Sequence, residues 1–423
     1  MPPLAIVRGV VYKGRAAVIS ALLIFAATYL VLVTGELPGF RVYRTSAALI
    51  GAVCMVVFGV LPPDHLLGVI DFPTLVLLFS MMVVAAALRL SGAFRWVADA
   101  VLHRAARPHL LLGVVIALSG VLSAFLVNDV VCVVLTPLLL DVLLPLRRNP
   151  LPYLIALATA ANIGSAATII GNPQNMIIGS LSGISYRAFA AALALPALAG
   201  LVIAYALIAW IFRTELHGDA VTELPRRPVR LHGWLVFKNG GITLLLLIAL
   251  IAGAPIATSA AAAAAWVLFT RRVKPAKVFA LVDWELLVMF AGLFVVVGGI
   301  EHAGLHAWMQ NRLATLPTLL SDPWFAVASV ALSNLVSNVP AVLLLKPVIP
   351  AFANREHAWL VLALTSTLAG NLTIPGSVAN LIVVEAARRR GVEVGALTYM
   401  RVGVPLTGLS VLVGLAILGT LGR

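Results

Sequence analysis

The chain has 423 residues, of which 62% are hydrophobic and 11% charged, against roughly half and a quarter in soluble domains. A net charge of +13 would suit a nucleic-acid binder, but the basic residues lie in short segments between apolar runs and form no single patch, so nucleic acid is excluded as a partner. Apolar runs of about 18 residues or more, each able to cross ~30 Å of hydrocarbon, recur throughout, and they make this an all-α polytopic membrane protein with the lipid bilayer as its solvent.

In chain order, the first run, near 16–35, follows Arg8, Lys13 and Arg15 and has no small-residue cleavage motif. A retained span is expected there rather than a signal peptide. Spans follow near 45–62 and 73–90, then a hairpin at 109–146, then spans near 151–179 and 187–213. A polar connector, 214–238, leads to a second series near 240–255, 257–270 and 284–302, a hairpin at 323–350, and spans near 358–385 and 402–421. Cys54 and Cys132 both fall in apolar segments, which predicts free thiols and excludes a disulfide framework.

The two series are copies of each other. Asp71 to Gly92 aligns without gaps on Asp283 to Gly304, with six of 22 positions identical. "LVNDVVCVVLTP", ending at Pro137, parallels "VSNVPAVLLLKP", ending at Pro347, and sets Asn128 on Asn338. "TIIGNPQNMI" at 168–177 aligns with "TIPGSVANLI" at 373–382, sharing five of ten positions. Three matches in one order indicate a duplication, with repeats at 1–213 and 239–423. About five crossings plus a hairpin per half is an odd count, so the second repeat is expected to be inverted, as in inverted-repeat transporters. The side richer in Lys and Arg, which receives Arg44, Arg271, Arg272 and the connector, is expected to be cytoplasmic.

Each repeat interrupts one apolar run with polar residues: Gly171, Asn172, Pro173, Gln174 and Asn175 in the first, and Pro375, Gly376, Ser377 and Asn380 in the second. Pro173 removes a backbone donor and disfavours helix at Asn172, while Gly171 permits unusual backbone angles. A broken helix exposes backbone donors on one half and acceptors on the other, which suits substrates and ions, and the carboxamides both donate and accept. Close helix packing by small residues is the plainer alternative; matched breaks that both end in Asn favour a site. Re-entrant hairpins would bring Asn128, Asp129, Ser337 and Asn338 to the same depth.

Asp129 is the one acid expected deep in the membrane, where ionisable groups are costly and usually functional. It is a candidate carrier of a proton or a ligand for sodium; capping the hairpin turn is the alternative. Lys346 is expected to snorkel to the interface. Glu301, His302 and His306 resemble a metal pair only superficially and read as a solvated span end, and Arg89 reads as an interfacial anchor. Asp71 and Asp283 begin matched spans and should cap them. No P-loop is present, so ATP drive would need a separate subunit. No cofactor is expected beyond a coupling H+ or Na+. A channel would need a continuous polar path, and an intramembrane enzyme would need a Ser/His or acid pair that the matched segments lack.

"FLVNDVVCVVLTP", "NIGSAATIIGNPQN", "SNLVSNVPAVLLL" and "GNLTIPGSVANLIV" together resemble the ion transporter superfamily, in particular its arsenite permease and NhaD-type branch, which includes plant silicon-efflux transporters. The resemblance covers nearly the whole chain. It implies a scaffold part and a moving transport part, frequently in homodimers, with elevator-like alternation and a substrate site built from the hairpin tips and helix breaks. Dicarboxylate carriers of the superfamily carry Ser-Asn-Thr at each tip, whereas the tips here read Val127-Asn128-Asp129 and Ser337-Asn338-Val339. This departure favours efflux of arsenite, antimonite or silicic acid in exchange for protons. Sodium- or proton-coupled citrate uptake and Na+/H+ antiport are the alternatives. A bacterial inner membrane is the expected location.

Overall fold

The computed structural model describes residues 4–35, 40, 42–94, 96–97, 107–217, 232–304 and 321–421. The first series contains α1 (Leu4–Thr34), α2 (Arg44–Val57), α3 (Phe72–Ser91), α4 (Pro108–Phe125), α5 (Asn128–Leu143), α6 (Leu151–Ser165), α7 (Pro173–Ser182) and α8 (Tyr186–Ile211). The second repeats it with α9 (Gly233–Ile251), α10 (Ile256–Leu268), α11 (Trp284–His302), α12 (Asp322–Val336), α13 (Asn338–Leu345), α14 (Arg355–Ala369), α15 (Val378–Arg388) and α16 (Ala396–Leu421). One-turn segments precede α3 and α11. Among the described residues seven helices are long and apolar enough to cross a membrane: α1 from Ala17, then α3, α4, α8, α9, α11 and α16. The helical form follows from the solvent, since a backbone in hydrocarbon must satisfy its polar groups within its own segment.

The same packing pairs recur in both series. α1 packs on α2 as α9 does on α10, and α2 packs on α11 as α10 does on α3. α4 lies on α6 as α12 lies on α14, α5 on α15 as α13 on α7, and α8 meets α16. The helices thus form two groups, α1–α3 with α9–α11, and α4–α8 with α12–α16. Small residues let the axes approach. A Cβ on Gly164 would collide with the backbone of Gly120, joining α6 to α4, and one on Gly292 would lie 2.8 Å from Ala48 O, joining α11 to α2. Such contacts replace the hydrophobic drive that lipid cannot supply.

Local chemistry sets the helix ends. Asp71 accepts the Thr74 N–H at 3.1 Å and Asp283 the Leu286 N–H at 2.9 Å, so both cap as expected. Some limits differ from the sequence reading. α9 starts at Gly233, so the last residues of the stretch read as connector are helical; Lys238 is held there because its Nζ donates to the Phe269 carbonyl at 2.6 Å. The runs at 151–179 and 358–385 are each two helices, parted at the polar breaks. Cys54 and Cys132 are free.

Candidate substrate site at the hairpin tips and helix breaks

The first break opens where α6 ends at Ser165. Asn172, ahead of proline, is extended at φ −154° and ψ 162°, and Pro173 begins α7. The freed N-terminus is capped by Asn172 itself, whose Oδ1 accepts the Asn175 N–H at 2.8 Å. The second break contains a tight turn at Ile374–Gly376, and Ser377, at φ −146°, caps α15 by accepting the Ala379 N–H at 3.2 Å. Gly171 is not among the positive-φ residues. Its lack of a side chain is needed for space instead: a Cβ there would collide with Ser165 O at the end of α6 and sit 2.9 Å from Ser123 O in the hairpin.

The Asn that closes each motif braces its own break. Asn175 Nδ2 donates to the carbonyls of Ser165 (3.1 Å) and Thr168 (3.0 Å), ten and seven residues back. Asn380 Nδ2 donates to Gly370 (2.6 Å) and Thr373 (3.0 Å), again ten and seven back. Both side chains are wholly buried. A buried amide so engaged satisfies carbonyls that the helix break would otherwise leave bare.

The breaks are tied to each other through Asn162, near the end of α6. Its Nδ2 donates to Asn371 Oδ1 and Asn380 Oδ1, both at 3.0 Å, and its Oδ1 accepts from Asn128 Nδ2 (3.1 Å) and Ser377 Oγ (2.9 Å). All four hydrogen-bonding positions of one carboxamide are filled. Thr367 does the same for the other break: its Oγ1 donates to Asn175 Oδ1 and accepts from Asn172 Nδ2 and Gln174 Nε2 at 3.2–3.3 Å. The hairpin tips close on the breaks. The Asn128 N–H donates to Gly171 O at 3.0 Å, and Asn338 Nδ2, in the orientation its neighbours require, donates to the carbonyls of Ser366 (3.1 Å) and Gly376 (3.3 Å).

These elements wall a cavity of about 380 Å³ at the boundary between the two helix groups. One wall carries Asn128, Asp129, Pro173, Gln174, Ser337, Asn338 and Ser377; the facing wall carries Arg44, Asp283, Glu285 and Met289. Of the residues singled out from the sequence, those seven meet in the cavity. Gly171, Asn172, Asn175, Gly376, Asn380 and Pro375 do not line it but hold the breaks behind it. Buried atoms without a partner among the described residues include Arg44 Nε and Asn128 Oδ1, on residues that line the cavity, and Asn371 Nδ2 behind it. Ser337 adopts φ 79° and ψ 158°, a region favourable to glycine alone, and such strain gathers at functional sites.

Asp129 lies in the first turn of α5, partly exposed to the cavity, and the residue in the cap position is Val127 with no side-chain bond. No hydrogen bond or ion pair of Asp129 occurs among the described residues. Among the described residues the charged groups sharing its cavity are Asp283, which caps α11, Glu285 on α11 and Arg44 on α2. Asn162, Thr367, Asn371 and the facing wall escaped the sequence reading. Asn162 stood inside a quoted motif, but in the register that sets Asn175 on Asn380 it falls on Thr367, so the repeat did not flag it.

Two polar contacts join the helix groups on the face opposite the cavity mouth. Ser180 Oγ donates to Asp71 at 3.2 Å, and Lys346 pairs with Glu301 at 3.2 Å. Lys346 is therefore paired rather than simply snorkelling, because α13 brings it beside the end of α11. His306 lies outside the described residues.

A family model for citrate transporters matches residues 21–369. The silicon efflux transporter LSI3 of Oryza sativa subsp. japonica is 31% identical, with 93% of this chain and 96% of the relative covered. A 46 kDa membrane protein of Mycobacterium leprae is 30% identical over 92% of this chain and 96% of its own length. A Dictyostelium discoideum protein carrying the transporter name arsB is 26% identical, over 95% and 91%. The YdaH transporter of Alcanivorax borkumensis shares the fold at a TM-score of 0.61, with 17% identity and 97% and 98% covered. Neisseria gonorrhoeae MtrF does so at 0.63, with 12% identity and 95% and 94% covered. With its apolar helices, its broken-helix pair and a family match over most of its length, the chain is an integral membrane protein that belongs to the citrate transporter family of secondary transporters.

Proposed function

We propose that this chain exports a small neutral hydroxy acid, of which arsenite and silicic acid are the leading cases, in exchange for protons. The observation that carries the substrate class is the charge of the cavity: among the described residues three acidic side chains (Asp129, Asp283, Glu285) face one guanidinium (Arg44). A citrate trianion would meet net repulsion there, whereas the hydroxyls of an uncharged acid can donate to Asn128 Oδ1 and accept from serine and carboxamide groups. The name of the rice relative supports the same reading. Citrate uptake, suggested by the name of the family model, is the competing reading. Asp129 carries the coupling proton, since it lines the cavity with no partner among the described residues and a lone carboxylate at membrane depth is costly unless protonated or paired.

Alternating access follows from inverted repeats 1–213 and 239–423, joined at 214–238. The group α4–α8 with α12–α16 moves as an elevator against α1–α3 with α9–α11. The closed face is the one held by Asp71–Ser180 and Glu301–Lys346, and the open one is the basic, cytoplasmic side, lined by Arg44 and Asp283. The working unit is a homodimer in a bacterial inner membrane.

The test is flux in proteoliposomes under an imposed pH gradient, with arsenite, silicic acid and citrate offered with and without sodium. Proton-driven movement of arsenite or silicic acid is expected. Sodium-dependent citrate transport would overturn the substrate and the coupling ion together.

A further inference from the structure

Away from the cavity, the first turns of α9 and the end of α10 enclose a groove of about 680 Å³, lined by Trp234, Phe237, Lys238, Trp266, Arg271 and Arg272 among others. Its aromatic walls are open: Trp234, Phe237 and Trp266 are each more than half exposed, and Phe269 at its end is 86% exposed. The basic end is built, not merely adjacent. Lys238 Nζ donates to the carbonyls of Phe269 (2.6 Å) and Val267 (3.3 Å), which fixes the ammonium at the groove and leaves one of its three protons free. The turn that carries the arginines is pinned by the Arg272 N–H donating to Thr270 Oγ1 at 3.2 Å. Among the described residues no acidic side chain lines the groove.

We propose that this groove binds an anionic phospholipid. The acyl chain lies along the tryptophans, Ile242 and Leu245, and the phosphate meets Arg271, Arg272 and Lys238. Exposed tryptophans at the end of a membrane helix sit at headgroup depth, where an amphipathic ring can touch both chain and headgroup. Three cations with no counter-acid among the described residues lining the groove suit a negative partner, and basic pockets between membrane helices are suited to anionic headgroups. The groove also lies on the side to which the charge bias assigns the cytoplasmic leaflet, where anionic lipids attract juxtamembrane lysine and arginine. A second copy of the chain fits less well, because a two-fold contact sets a patch against itself and would bring like charges together.

The full chain, purified in detergent and exchanged into equal amounts of phosphatidylglycerol and phosphatidylcholine, is examined by native mass spectrometry. The wild type is expected to retain phosphatidylglycerol in preference. The double substitution Arg271→Gln with Arg272→Gln should weaken that retention by about thirtyfold, from the approximate contribution of each basic residue near an anionic surface. Trp266→Ala should weaken retention of both lipids, while Lys274→Gln with Lys277→Gln, outside the groove lining, should change it far less. An unchanged unfolding temperature shows that each variant is folded. Equal losses in the two charge pairs would overturn the proposal in favour of diffuse surface attraction. Displacement by inorganic phosphate would replace it with a free-anion site. A dimer lost in the arginine variant with lipid retained would give the groove to a second copy.

Discussion

At the scale of single residues, the site depends on carboxamides that no solvent competes for. Asn162 is 2% exposed and fills all four of its hydrogen-bonding positions. Asn162→Ala would leave several buried polar groups unpaired at about 1–3 kcal/mol each, so a loss of about 3 kcal/mol is expected in thermal or denaturant unfolding, with flux abolished. Ser337 presents the opposite case. Its backbone at φ 79° favours glycine, so Ser337→Gly should raise stability by about 1 kcal/mol yet lower flux, because the hydroxyl lost is one that lines the cavity. Stability and flux rising together would remove Ser337 from the substrate site. Asp129→Asn should leave substrate binding measurable and remove the dependence of flux on the pH gradient; an unchanged dependence would assign the coupling proton elsewhere. Much of this was legible in the sequence, for Asn128, Ser337 and Asn338 could be placed at the tips from the repeat alone. The distinction between lining and bracing was not. Asn175 and Asn380 have the chemistry of ligands, and only the path of the broken backbone shows that their amides hold carbonyls seven and ten residues back.

At the scale of elements, both breaks are written in the local chain. Proline after Asn172 forces an extended residue and starts a new helix, and the paired motif repeats the design with Pro375 and Ser377. The requirement at Gly171 is spatial, and sequence could not reveal it, since it depends on how closely the broken backbone passes Ser165 O at the end of α6 and Ser123 O in the hairpin. Gly171→Ala should therefore force the break away from the end of α6 and from the hairpin, and lower the yield of folded protein; a well-folded, fully active variant would contradict these close approaches. α9 begins at Gly233, inside the stretch expected as connector, because a long side chain such as Lys238 can stay on a helix and reach outward. The contact between Lys346 and Glu301 was also hidden, as it needs α13 and α11 to meet. This pair is about one-third exposed on each side, so it contributes at most about 1 kcal/mol. Lys346→Gln should shift the balance of open faces by no more than about fivefold, seen as faster thiol labelling of a cysteine placed at Ser182. An unchanged labelling rate would reduce the pair to surface decoration.

At the scale of the whole molecule, α2 pairs with α11 and α10 with α3, each across the two repeats. The sequence showed two matched halves but not how they interlock, because the decisive contacts join residues some two hundred positions apart, such as Asn162 with Asn371 and Asn380. That interlock leaves a molecule with a cavity at one boundary and polar ties across the other. In the proposed cycle those ties must break for the cavity to change sides. The most direct test of this movement is a reversible cross-link at the closed face. In a background with Cys54 and Cys132 replaced by serine, cysteines are placed at Asp71 and Ser180, whose side chains meet at 3.2 Å. Oxidation is expected to abolish proton-driven flux and reduction to restore it. Undiminished flux through the fully cross-linked protein would contradict movement of one helix group against the other.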